Sequence, residues 1–155
     1  MDPNEIGQAV SFLNAVKEVT AIAARFKALL ETAPKAEANG TANRFESFQL
    51  TNGTFATDFL LQTEFGKIAA AFGLVNHDKE IYGAYQFSLA VLPDATAPEE
   101  IKWVKLSTLF FDKFGNTARP APCDSIALGE DDPSTFKRHF FGSLILAASE
   151  ALPVA

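Results

Sequence analysis

Along the N-terminal segment, apolar residues return at alternating steps of three and four: Ala9, Phe12, Val16, Val19, Ala23, Phe26 and Leu30. That period places them on one stripe of an α-helix. The start is signalled by Asp2-Pro3-Asn4-Glu5, with Asp2 as N-cap, Pro3 at the first helical position and Glu5 placed to close a capping box. Ala33-Pro34 ends the helix near Thr32. A weaker row, Ile6, Val10 and Leu13, is expected to widen the buried face near the start. The flanking positions lack systematic paired charges, so the stripe fits a helix lying across a sheet better than a coiled coil, with a dimer seam as the alternative.

After a polar linker at 35–43 the period falls to two. Residues 44–51 and 54–63 read as strands joined by a two-residue hairpin at Asn52-Gly53. Three longer strands follow at 66–75, 80–92 and 101–111, and a fourth begins near Asn116. Within the first of these, Ala69, Ala70, Ala71 and Gly73 weaken the β signal, but Gly66 and Gly73 penalise a helix more. The middle member, EIYGAYQFSLAVL, is apolar on both faces for most of its length, which marks a central strand covered on each side. Asn76 to Lys79 and Asp112 to Asn116 read as hairpin connections, the second with Gly115 free to take positive φ.

Residues 119–132 read as an irregular loop. A final helix then starts at Asp132-Pro133, buries Phe136, Phe140, Phe141, Leu144, Ala147 and Ala148, and stops at Leu152-Pro153.

These elements assemble into a single α+β domain over 1–155. It has a helix at 1–33, a twisted antiparallel meander of about five or six strands at 44–119, and a C-terminal helix at 132–152 packed near the first. The order helix, meander, helix resembles that of helix-grip folds that bind lipids and small ligands, although no motif fixes a family. A likeness of fold alone does not carry function.

Composition narrows the function classes. Fifteen Phe against two Tyr and one Trp favour a thick aromatic core over a polar recognition surface. Thirteen basic and nineteen acidic residues leave a net charge of −6, which argues against a phosphate-backbone footprint and hence against nucleic acid. The acids gather in two loops, Asp94, Glu99 and Glu100, then Asp124, Glu130, Asp131 and Asp132, and are read as solvated, with a surface for a basic partner as the sharper alternative. A lone Cys123 suits a reducing compartment. With no secretory pattern at the start and no apolar run of membrane-spanning length, the expectation is a cytoplasmic protein away from the membrane.

The search for chemistry is thin. Phosphate loops, dinucleotide fingerprints, paired metal ligands and nucleophile elbows are all missing, so no catalytic residue, metal or cofactor is assigned. Cys123 beside Asp124 could meet His139 only if the loop folded onto the last helix, and ordinary loop and surface roles fit both better. His77-Asp78 reads as a solvated turn. Of the carboxylates Glu46, Asp58 and Glu64, the first two would face opposite sides of a two-residue hairpin and cannot converge.

Tyr82, Tyr85 and Trp103 are the candidate ligand-binding residues, as polar handles on an aromatic pocket between sheet and helices, although simple core filling explains these aromatics better. The expected function is a non-catalytic binding or protein-interaction module. It would be an acidic adaptor, inhibitor or self-associating protein, with a protein partner or a second copy as its target. A pocket protein or enzyme taking a small apolar ligand is the alternative.

Overall fold

The computed structural model describes residues 1–31, 49–92, 101–118, 126–127 and 133–153. In chain order the elements are α1 (Pro3–Glu31), β1 (Gln49–Asn52), β2 (Phe59–Thr63), β3 (Gly66–His77), β4 (Glu80–Val91), β5 (Lys102–Phe111), β6 (Asn116–Ala118), β7 (Ile126–Ala127) and α2 (Pro133–Ala151). The strands lie in one antiparallel sheet in the order of the chain, so the meander expected from the sequence is present, with the two-residue β7 added at its edge.

Helix α1 begins as its sequence dictates. The Asp2 carboxylate accepts the Glu5 N–H at 2.8 Å, which satisfies one of the donors every helix start leaves open, and the Asp2 carbonyl accepts the Ile6 N–H at 3.1 Å as the first bond of the helix ladder.

Strand β4 is the centre of the sheet, fourth of the seven strands among the described residues. Its alternate residues Tyr85, Phe87, Leu89 and Val91 point to the face that both helices cover. There Val19, Ile22, Ala23, Phe26 and Leu30 of α1 and Phe140, Phe141, Leu144 and Ala148 of α2 close one hydrophobic core with Phe59, Leu61, Ile68 and Phe111. Rings fill its middle. Phe26 lies 5.2 Å from Tyr85 and stands edge-on to Phe140 at 5.3 Å, and Phe140 meets Phe87 at 5.2 Å. Among the described residues Phe26, Phe59, Phe87, Phe111, Phe140 and Phe141 are buried in this core, while Phe55 and Phe114 are exposed.

Gly83 continues the same face of β4. A Cβ there would run into the Phe111 ring and lie 2.7 Å from Val19 Cγ1, so the absent side chain is what lets α1 and β5 close over β4. One bulge adjusts the neighbouring strand. Phe87 pairs with Ser107 and Ser88 with Lys105, which leaves Leu106 as the extra residue, packed against the core.

The Asn52-Gly53 turn is a correction. Asn52 pairs with Phe59, so the connection runs over six residues, 53–58, and β2 starts at Phe59 rather than Thr54. The reason lies in α1. Lys27, itself buried, donates from Nζ to Asn52 Oδ1 at 2.7 Å and to the Ala56 carbonyl at 2.9 Å, which holds the wider loop against the helix. Gly53 and Asp58 close it, with the Gly53 N–H donating to the Asp58 carbonyl at 3.0 Å.

A two-residue hairpin occurs instead at Asp78-Lys79. His77 pairs with Glu80, and both turn residues take positive φ, 49° and 64°. Gly115, also at positive φ, behaves as its sequence implied, and the Asp112 carboxylate accepts the N–H groups of Phe114 and Asn116 at 2.9 Å to fix that turn.

Candidate functional site

The three aromatic handles do not meet. Tyr82 and Tyr85 lie three positions apart on β4, so they project to opposite faces of the sheet. Tyr85 is fully buried on the helix side. Its hydroxyl is 2.6 Å from the Thr57 carbonyl and 3.1 Å from the Ala23 carbonyl, so its one proton is held between the 53–58 loop and α1. Burial, with the charge of Asp58 added, pushes the phenol well above the ordinary tyrosine range. This hydroxyl is a neutral internal tie.

Tyr82 is on the outer face, where its hydroxyl donates to Glu80 at 3.2 Å and the His77 ring stands edge-on at 5.9 Å. Trp103 is also on the outer face, opposite Ala90, and is 53% exposed.

The other candidates are also separate. His77 is half exposed and its Nε2 lies 3.3 Å from the Asp78 carboxylate. His139 is exposed on α2, while Cys123 and Glu46 lie outside the described residues. Asp58 accepts the Phe72 N–H at 2.8 Å, which ties the loop to β3. No group of three metal-ligating side chains occurs among the described residues, and no described helix is long and apolar enough to cross a membrane.

The outer face of the sheet carries a shallow depression of about 400 Å³ over Ala71, Gly73 and Ala84, walled by Val75, Lys105 and Phe110. Small side chains make the backbone approachable there, although of the run 69–73 Ala70 points into the core and Ala69 is half buried.

The more distinctive surface is on α1. Only its second half, from Val19 onward, is buried on the sheet. In the first half residues 1–11 are exposed and Val16 is half-buried, with the half-buried Phe12 and Ala15 over an open cleft of about 380 Å³ bounded by Lys79, Ile81, Asp112 and Phe114. The row Ile6, Val10 and Leu13 does not widen the buried face as its spacing implied. At 100° per residue it lies roughly 155° around the helix from the Val19–Phe26 side. These three residues are therefore 51%, 50% and 63% exposed. They form a continuous apolar ridge aimed away from the domain.

Two neighbouring features set this ridge apart from scattered surface aliphatics. Residues 6–16 of α1 contain no charge, where a helix meant only for water carries interspersed charges. The same row also continues to Asp2 on one side and Lys17 on the other, at steps of four, so it is acidic at its N-terminal end and basic at its C-terminal end. Sequence periodicity registered the ridge. Its direction could not be read, because a helix apolar on two sides does not say which side meets the sheet.

Comparison with protein-family models, with curated proteins and with solved structures finds no match for this chain.

Proposed function

We propose that this chain is a non-catalytic protein-interaction module that works through the projecting half of α1. The observation that carries the reading is the exposed ridge Ile6, Val10 and Leu13 on a helix half that does not contribute to the core. Amphipathic helices dock through apolar anchors at this spacing, whether into a groove or onto another helix. The aromatic interior supports the same reading. Tyr85 and its ring neighbours Phe26, Phe59 and Phe87 are packed on one another, and the Tyr85 hydroxyl is committed to backbone.

The alternative, a pocket for a small apolar molecule, is tested by thermal denaturation against a panel of fatty acids and aromatic metabolites, since a ligand that binds only the folded chain raises its melting point. The interaction reading expects no panel member to shift the midpoint of the wild-type chain. A saturable rise that persists in the double variant Ile6→Ser/Leu13→Ser would place an apolar-ligand site elsewhere in the fold and overturn it.

A further inference from the structure

We infer that the partner of the α1 ridge is a second copy of this chain, bound antiparallel across a two-fold axis. The inference rests on the reading of the ridge as an interaction surface, and adds to it the partner and the orientation.

The argument is one of charge. The row Asp2, Ile6, Val10, Leu13, Lys17 has an acid at one end, a base at the other and three aliphatics between them. Setting Ile6 of one copy against Leu13 of the other brings Lys17 against Asp2, and the two-fold axis makes the same pair again at the opposite end. The competing arrangements lose this match. A parallel pair places Lys17 on Lys17 and Asp2 on Asp2. An antiparallel pair slid along the helix, so that the ridge meets the exposed Ala21, Ala24 and Ala28, again sets Lys17 against Lys17 and brings Glu31 to Asp2. Like charges face each other in both, and opposed like charges exclude a register more firmly than matched ones hold it.

The partners are also available. Both Asp2 and Lys17 are exposed, and Lys17 makes no ion pair among the described residues. Asp2 uses one carboxylate oxygen as the N-cap, which leaves the other to accept from lysine. Because the ridge points away from the sheet, the two domain bodies fall on opposite outer sides of the helix pair. They also fall at opposite ends of it, since each body begins near Val19.

About four turns of helix bury a small interface, so the dimer belongs with the weak class of complexes. The test is sedimentation velocity from about 5 to 500 µM, together with disulfide trapping in a Cys123→Ser background. The wild-type chain is expected to pass from monomer to dimer within that range. Leu13→Glu is expected to weaken the dimer by about thirtyfold or more, which removes it from the range. Lys17→Glu, which creates two like-charge contacts per dimer, is expected to weaken it by about tenfold, and Lys17→Arg to leave it within about threefold of wild type. Asp2→Asn keeps a competent cap while removing the charge, so it is expected to weaken the dimer without loss of helix by circular dichroism.

In the trapping experiment a mixture of Asp2→Cys and Lys17→Cys chains is expected to give the crosslinked pair, and Lys17→Cys chains alone to give none. A chain that stays monomeric at 500 µM overturns the inference, and so does efficient trapping of Lys17→Cys with itself. In either case the reading of the ridge still stands or falls on the ligand panel. A wild-type dimer that Leu13→Glu leaves intact overturns both.

Discussion

Phe26→Ala is expected to lower the free energy of unfolding by about 3–5 kcal/mol, read from the midpoint of a urea titration at constant m-value. Phe26 is 1% exposed and joins α1 to β2, β4 and α2 at once. Its ring meets Phe59 at 6.3 Å, Tyr85 at 5.2 Å and, from the other helix, Phe140 at 5.3 Å. Truncation removes the transfer gain of a buried ring. It also leaves a void that three rigid neighbours collapse into poorly, which is why the upper half of that range is the better expectation. Against a total stability on the order of 5–15 kcal/mol, such a loss threatens the folded population itself. A change below about 1.5 kcal/mol would show that the first helix is not seated on the sheet through this residue.

Gly83→Val tests the same seating from the other side. Valine favours strands, and on a scale spanning about 1 kcal/mol the exchange would stabilise an open position of β4. Here the added atoms would fall on the Phe111 ring and within 2.7 Å of Val19 Cγ1, both in fully buried side chains with nowhere to retreat. Overpacking of that kind costs about 1–3 kcal/mol and occasionally more, so the steric term outweighs propensity and a net loss of about 2 kcal/mol or more is expected. Adding Val19→Ala to Gly83→Val should recover part of it, because the two changes share one space. A neutral or stabilising Gly83→Val would mean that α1 does not cross β4 at this point.

Most of the architecture was legible because it follows from period and punctuation. Gly66 and Gly73 ruled against a helix in β3, two-sided apolarity picked out β4 as the centre, and Asp2-Pro3 and Asp132-Pro133 marked helix starts. The misread turn shows where such local signals end. Asn52-Gly53 has the ideal composition for a tight hairpin, yet Lys27, distant in sequence, takes the Asn52 side chain and a carbonyl within the loop and holds it open. Asp78-Lys79 has a poorer composition but is flanked by the two longest strands, whose pairing imposes the tight turn on it. In both cases a tertiary demand overrode the dipeptide.

The candidate site was half legible. Tyr85 stood out as an aromatic with a polar end, but only the structure shows that end spent on the Thr57 and Ala23 carbonyls. Tyr82 and Trp103 shared the same sequence signal and lie on the opposite face. The row Ile6, Val10 and Leu13 was visible as a second apolar line, and a dimer seam was an open alternative for the helix. What the one-dimensional reading did not weigh was direction. The row lies on the side of α1 turned away from the Val19–Phe26 stripe, so it faces outward instead of widening the buried face.

The central claim is therefore a division of α1 into a half that folds the protein and a half that meets a partner. Urea unfolding of Ile6→Ser/Leu13→Ser at about 1 µM, where any weak dimer is dissociated, tests that division most directly. The double variant is expected to unfold within about 0.5 kcal/mol of wild type, as exposed positions do. A loss of about 2 kcal/mol or more at that dilution would show that the ridge is buried within its own chain, and would contradict the claim.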